Sequence, residues 1–398
     1  MHSLLKKSTF YLVGLIFSKV INIFVFLFLA RTFVPQLFGE FTLFITLIQF
    51  ATYFADFGLV QWYIKKVVKI EERDDYFIKV LTLRTITLII SIVFVVAFLF
   101  FSKTFSLTIN TLLILTLIVE SFMSVTDGYY FEKHESFTVT LKTIIRMGIF
   151  FLGLYFLPFI TIVDVMYIYF LASLITFIWY MPWSIIKKMK RTTIAESVNM
   201  LTSASPYALL IITSFAYSRG DSLLIKYLLN TTALGIYSVA YRFLETLSLV
   251  PTALSHNLFP IAAKQKGITR NNLLKITLLF ILMGAMLGGF LYVAADLLIL
   301  YSVGNQYMEA VPILQIFSLG VFFFFINAPL STVIQSSNIV QRFLPYGIAN
   351  TVLNIVLNII ALPMYGVIAA AVVMVITETT GFIINLYFIK KVYDNRTN

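Results

Sequence analysis

The residues in this sequence able to do chemistry are charged side chains set inside long apolar runs. Six cations (Lys19, Arg84, Lys142, Arg146, Arg219, Arg242) and seven acids (Asp56, Glu120, Asp127, Asp221, Glu245, Asp296, Glu378) interrupt stretches of Ile, Leu, Val and Phe. On insertion scales a charged group at the centre of a bilayer costs about 2.5–3.5 kcal/mol, and such groups mark pathways and partners. Facing lipid, the set would be ruinous. It implies a shared, water-filled polar interior. Lys19 and Arg219, deep in their runs, together with Arg146 and Arg242, are candidates to contact an anionic substrate. Glu120, Asp127, Asp221 and Glu378 are candidate ion-coupling groups, because desolvation favours the protonated carboxyl; H+ and Na+ both remain open as the coupling ion.

Each has a plainer alternative. Arg219 could pair with Asp56 or Glu120, and Glu120 and Glu378 could pair permanently with Lys19 or Arg219. Arg242 and Glu245, three apart, also read as an intrahelical ion pair. Lys142 and Arg84, near the ends of their runs, read as snorkelling side chains. Three polar stripes fall on single helical faces: Thr116, Glu120, Ser124 and Asp127; Asn327, Ser331, Gln335 and Asn338; and Asn350, Asn354 and Asn358. They suit a cavity wall, or interhelical hydrogen bonds.

The elements that must position these groups are membrane helices. Of 398 residues, 60% are hydrophobic and 12% charged, against roughly 45–50% and 25% in soluble domains. A bilayer core needs about 20 apolar residues per helix. Measured against that length, the chain holds twelve runs, from 8–30, 41–64 and 80–101 to 366–389, leaving connections near ten residues each. The expected fold is an all-α polytopic membrane protein with no soluble catalytic domain and no catalytic residues. The first run is too long for a cleaved signal peptide. With the N-terminus in the cytoplasm, twenty Lys and Arg fall on that side and three on the other. The net charge of +11 is therefore a positive-inside pattern, and nucleic acid is excluded as a partner. Both termini are expected in the cytoplasm, with Trp62, Trp179 and Trp183 as an interfacial belt. There is no cysteine, and the three histidines lie far apart, so no metal site is expected.

A repeat divides the chain. Leu37-Phe38-Gly39-Glu40-Phe41 after the first run matches Ala233-Leu234-Gly235-Ile236-Tyr237 after the seventh, at an offset of 196 residues. Six runs followed by six, both starting inside, make a parallel pseudo-two-fold repeat, with bundles over 1–192 and 193–398 and a bridge at 187–200. Pro35, Gly39, Gly235, Pro363 and Gly366 read as turn geometry in outer loops. Asp56 beside Gly58 reads as a packing or capping site.

Five motifs carry a resemblance over nearly the whole chain: Arg31 to Phe41; Ala55-Asp56-Phe57-Gly58-Leu59; Arg219-Gly220-Asp221 with Leu234-Gly235-Ile236-Tyr237 to Arg242; Tyr301 to Ala310; and Leu362-Pro363-Met364-Tyr365-Gly366 to Ala371. Together they resemble the bacterial polysaccharide and O-antigen repeat-unit flippases (Wzx-type) of the multidrug/oligosaccharidyl-lipid/polysaccharide exporter superfamily, with Val34 where that family usually has glycine. The resemblance implies a fold like that of the multidrug (MATE) exporters and a location in the bacterial cytoplasmic (inner) membrane. It implies translocation of undecaprenyl-diphosphate-linked oligosaccharide units for O-antigen, lipopolysaccharide or capsule, alongside a polymerase and a chain-length regulator. A multidrug or organic-cation antiporter of the same superfamily is the competing reading. Its cavity should be dominated by acids, whereas here six cations oppose seven acids.

Overall fold

The computed structural model describes the backbone of residues 2–67, 73–102, 104–157, 161–186, 194–263 and 267–397. These form fourteen α-helices and one short 3-10 turn, Asn305–Tyr307. In order they are α1 (His2–Thr32), α2 (Pro35–Asp56), α3 (Leu59–Val67), α4 (Arg73–Ser102), α5 (Leu107–Glu132), α6 (Ser136–Phe156), α7 (Ile162–Tyr180), α8 (Trp183–Ile186), α9 (Ile194–Leu228), α10 (Thr231–Ala262), α11 (Arg270–Ser302), α12 (Ala310–Gln335), α13 (Val340–Tyr365) and α14 (Ile368–Thr397). No strand occurs among the described residues. Among the described residues, ten helices are long and apolar enough to cross a membrane. A helix satisfies its backbone polar groups internally, which lipid demands; the chain is a multi-pass membrane protein.

Caps define several boundaries. Ser106, Asn230 and Thr269 accept hydrogen bonds from the backbone amides of Ile109, Ala233 and Asn272 at the starts of α5, α10 and α11. Thr161 and Asp164 form a reciprocal capping box on α7, the arrangement that satisfies orphan amides at a helix start.

Packing divides the chain into two compact units, residues 1–25 with 43–215, and 26–42 with 216–398. In the first, α5 packs against α3, α4, α6 and α7; in the second, α12 packs against α10, α11 and α14. Lipid-facing stripes are legible on the outer helices. On α11, Leu278, Leu282, Met286, Phe290, Val293 and Leu297 are exposed, while Phe280, Leu291, Ala295 and Ile299 on the other side are buried.

Several expectations need correction. The run at 41–64 is not one helix. It breaks at Phe57 and Gly58, which both have positive φ (46° and 75°). A Cβ on Gly58 would lie 2.5 Å from the backbone nitrogen of Ala208, so glycine admits both the turn and the close approach of α9. Gly39 and Gly235 are not turn residues either; they lie inside α2 and α10. A Cβ on Gly39 would sit 2.0 Å from the Thr231 carbonyl oxygen, and one on Gly235 would sit 2.0 Å from that of Pro35. Position 35 is to 39 as 231 is to 235, so the contact has local two-fold symmetry at the 196-residue offset. Pro35 opens α2, where a missing N–H does no harm. Pro363 lies in the last turn of α13, and of the residues expected to set outer-loop turns, Gly366 is the one with positive φ (70°). Trp62 is buried among Tyr63, Phe77 and Tyr129 rather than exposed at an interface. Helix α9 starts ten residues before the expected 204. The bridge expected at 187–200 falls partly on 187–193, outside the described residues; from Ile194 it is already helix.

The Tyr301–Ala310 motif closes the end of α1. Gln306 Nε2 donates to the carbonyls of Ala30 (3.4 Å) and Phe33 (3.2 Å), and the Tyr307 hydroxyl donates to Phe33 at 3.0 Å. Burial raises the Tyr307 phenol above its ordinary pKa, which keeps that donor protonated. Arg31 donates to the Tyr301 carbonyl at 2.7 Å. Orphan carbonyls at a helix C-terminus need such partners.

Candidate functional site

The first unit holds a charged cavity of about 320 Å³ whose wall includes Asp56, Glu120, Ser124, Asp127, Lys142 and Arg146. The 3.6-residue period puts Glu120, Ser124 and Asp127 on one face of α5, and α6 supplies cations one turn apart. Lys142 Nζ donates to both Asp127 oxygens, at 2.6 and 2.8 Å, and lies over the Tyr180 ring. The Tyr180 hydroxyl adds a 2.7 Å bond to Asp127. Arg146 donates to Glu120, which also accepts from Ser173 Oγ at 2.8 Å. The Arg146 Nε is buried with no hydrogen-bond partner among the described residues. A charged donor left unsatisfied inside a protein is costly and is a feature a ligand oxygen would relieve.

Beneath this wall lies Arg84, which the sequence suggested would snorkel. It does not: its side chain is 0% exposed. It donates to Asp56 Oδ1 (3.2 Å), Ser124 Oγ (2.6 Å) and the carbonyls of Thr52 and Ser121, both 3.2 Å. Asp56, three residues before α3, neutralises Arg84. The snorkelling expected for Lys142 is likewise replaced by its pair with Asp127.

The second unit arranges its charges differently. Arg219 (3.1 Å) and Arg242 (2.8 Å) converge on the single carboxylate of Glu245. Arg219 thus has an acid partner within its own unit, and the intrahelical Arg242–Glu245 pair is present. The Arg219 guanidinium lies 4.7 Å from the Tyr241 ring centroid and that of Arg242 lies 3.6 Å from that of Phe26; both arrangements favour cations. Asp221 is buried and accepts from the Tyr237 hydroxyl and the Ser222 backbone amide. Glu378 accepts from the Tyr217 hydroxyl (2.5 Å) and from Asn327 Nδ2 (3.0 Å), so within this unit neutral donors hold it and Arg219 does not.

The structure therefore gathers Asp56, Glu120, Asp127 and Arg146 around one cavity, and gathers Arg219 and Arg242 around Glu245. Lys19 is half-buried on α1 and does not line the charged cavity. Asn338 lies past the end of α12 and is exposed, so the stripe on that helix stops at Gln335. The α13 stripe is interhelical glue: Asn350 and Asn354 donate to the backbone and hydroxyl oxygens of Thr377, and Asn358 donates to Asn354. Sequence reasoning missed the hydroxyl partners Ser173, Tyr180, Tyr217 and Tyr237, whose types are common in any membrane helix. Among the described residues no three His, Asp or Glu side chains are grouped to hold a metal ion.

Comparison with known proteins fits this architecture. Residues 4–266 match the family model described as "polysaccharide biosynthesis protein". A probable flippase, AglR of Haloferax volcanii, is 26% identical over 176 residues, which span 42% of this chain and 37% of that protein's length. The solved structure of the lipid II flippase MurJ in an inward closed conformation superposes with a TM-score of 0.77 at 16% identity, covering 96% of this chain and 87% of that one. An inward-facing multidrug transporter of the MATE family in the MOP superfamily gives 0.73 at 13% identity, covering 95% and 96%. At these identities the likeness is one of fold: the chain has the helical architecture of the MurJ and MATE transporters.

Proposed function

The chain belongs to the polysaccharide biosynthesis protein family, and from that premise we propose that it is a flippase for undecaprenyl-diphosphate-linked oligosaccharide repeat units. It moves them from the inner to the outer leaflet of the bacterial cytoplasmic membrane for O-antigen, capsule or related polymers, by alternating access of the halves 1–192 and 193–398, with both termini in the cytoplasm. The observation that carries the reading is Arg146, a buried guanidinium on a cavity wall with one donor unspent. A diphosphate carries about two negative charges, and one cation near 4 Å contributes on the order of 4 kcal/mol at an effective dielectric of 20. Arg146 and Lys142 bind the diphosphate by exchanging Glu120 and Asp127 for phosphate oxygens; the lipid tail stays in the bilayer. Arg219, Arg242 and Lys19 supply further positive charge along the route.

Energy comes from the membrane rather than from ATP. With the inside negative, moving each anionic charge outward is worth about 2.3 kcal/mol per 100 mV. A carboxylate released from its cation takes up H+ or yields to Na+, which makes Glu120 and Asp127 coupling candidates, while Asp221 and Glu378, held by neutral donors, are candidates to exchange a proton themselves. The test is complementation of a flippase-deleted bacterium, with surface polysaccharide and inner-leaflet lipid-linked units measured for wild type, Lys19→Ala, Arg146→Ala and Arg219→Ala. The wild type restores polymer; Arg146→Ala at normal protein level leaves lipid-linked units accumulated inside. Wild-type failure in the native background together with changed drug efflux would give the function to the antiporter reading.

A further inference from the structure

The second unit contains its own cavity, of about 650 Å³, apart from the Arg219, Arg242 and Glu245 cluster. Its wall holds Ser248, Thr252, Ser255, Asn327, Ser331 and Gln335, with the rings of Phe259 and Phe324. No cation lines it. Its one acid, Glu378, is already held by Tyr217 and Asn327. Ser255 Oγ is buried without a hydrogen-bond partner among the described residues. The wall is therefore a set of hydroxyl and amide groups, each able to donate and accept, beside aromatic faces. The described wall offers phosphate no positive charge. It gives an organic cation no free carboxylate. It matches the hydroxyl edges and apolar C–H faces of an uncharged sugar, and the volume lies within the roughly 300–1,000 Å³ of ordinary ligand sites.

We infer that this cavity, bounded by α10, α12 and α14, binds the uncharged glycan of the lipid-linked substrate beyond its first sugar, and so sets which repeat unit is moved. The inference rests on the flippase reading and adds a second site to it, with a role of its own. The charged cavity of the first unit takes the diphosphate, which every such substrate shares, while the neutral cavity takes the part that differs.

The experiment uses the full chain in proteoliposomes with lipid-linked oligosaccharide extracted from the source cells, either intact or trimmed enzymatically to its first sugar. Rates of translocation are compared for wild type, Ser331→Ala, Ser331→Leu and Ala328→Leu. The two leucine variants fill the cavity from adjacent turns of α12. They should slow the intact substrate about tenfold, the equivalent of one or two lost hydrogen bonds, while the trimmed substrate keeps its wild-type rate. Ser331→Ala removes one hydroxyl without filling the cavity and should slow the intact substrate by a smaller factor, about threefold, with the trimmed substrate unchanged. Equal slowing of intact and trimmed substrate, or no slowing of either, overturns the inference and leaves the flippase reading standing. If wild type moves neither substrate, the flippase reading fails and takes the inference with it.

Discussion

Helices α5 and α12 are the hubs of their units, and both present a polar stripe to a cavity with nearly the same spacing. Glu120, Ser124 and Asp127 face the first cavity; Asn327, Ser331 and Gln335 face the second. The chemistry diverges where the scaffold does not. In the first unit each carboxylate of the stripe meets a cation from α6, and Arg84 and Asp56 form a further pair underneath. In the second unit the stripe is uncharged, and the acid that reaches it, Glu378, is satisfied by a phenol and an amide. A helical hub needs only one small or polar face and correct spacing. What that face binds is decided by whether its groups carry charge.

The largest expected effect follows from the charged side of this contrast. Arg84→Leu leaves the Asp56 carboxylate buried without its cation, and breaking one partner of such a pair costs about 3–5 kcal/mol. Asn354→Leu in the second unit removes a neutral amide bonded to Thr377 and Asn358 and should cost about 1–3 kcal/mol, the penalty for leaving a buried neutral polar group unmade. Thermal inactivation of the solubilised protein should therefore drop much further for Arg84→Leu, and Arg84→Leu combined with Asp56→Leu should recover a large part of the loss. Equal destabilisation by the two single variants would show that charge is not what distinguishes the units.

These partners differ in how far they were legible beforehand. Apolar run length locates the helices, and the i, i+4, i+7 spacing of Glu120, Ser124 and Asp127 marks the cavity wall, because both depend on residues close in sequence. The cation partners do not. Arg84 lies four residues into the expected run at 80–101, but α4 begins at Arg73, so Arg84 stands eleven residues into a helix whose first turns are polar. Hydropathy measures where lipid begins, not where a helix does. Arg219 found Glu245 rather than a distant acid because α9 and α10 are antiparallel neighbours joined by a two-residue turn, a proximity that charge arithmetic ignores. Gly39 and Gly235 were visible as a repeat, yet their reason, backbone packed on backbone, is tertiary.

That glycine contact supplies the next prediction, at the place where the two halves of the repeat are alike. Gly39→Ala and Gly235→Ala each drive a methyl group to within 2.0 Å of a carbonyl oxygen, a separation no side chain can relieve because the clash is with backbone. Overpacking of this kind typically costs about 1–3 kcal/mol. The two variants should lose stability and complementation to the same degree, since each clashes with the symmetry-equivalent atom. A large inequality between them would confine the repeat to its sequence and deny it the local two-fold.

The smallest effect separates the two carboxylates directly. Ser173 donates to Glu120, and Tyr217 donates to Glu378. Ser173→Ala leaves Glu120 with its guanidinium, so only the net value of one hydrogen bond is at stake, about 0.5–1.5 kcal/mol. Tyr217→Phe leaves Glu378 with the neutral amide of Asn327, and a bond to a charged group is worth about 1.5–3 kcal/mol. Thermal inactivation should rank Tyr217→Phe below Ser173→Ala, although the serine touches the more densely charged site. The reverse ranking would mean that Glu378 is neutral in the folded protein, since a protonated carboxyl would lose only an ordinary hydrogen bond. The second unit would then hold a stored proton rather than a buried charge.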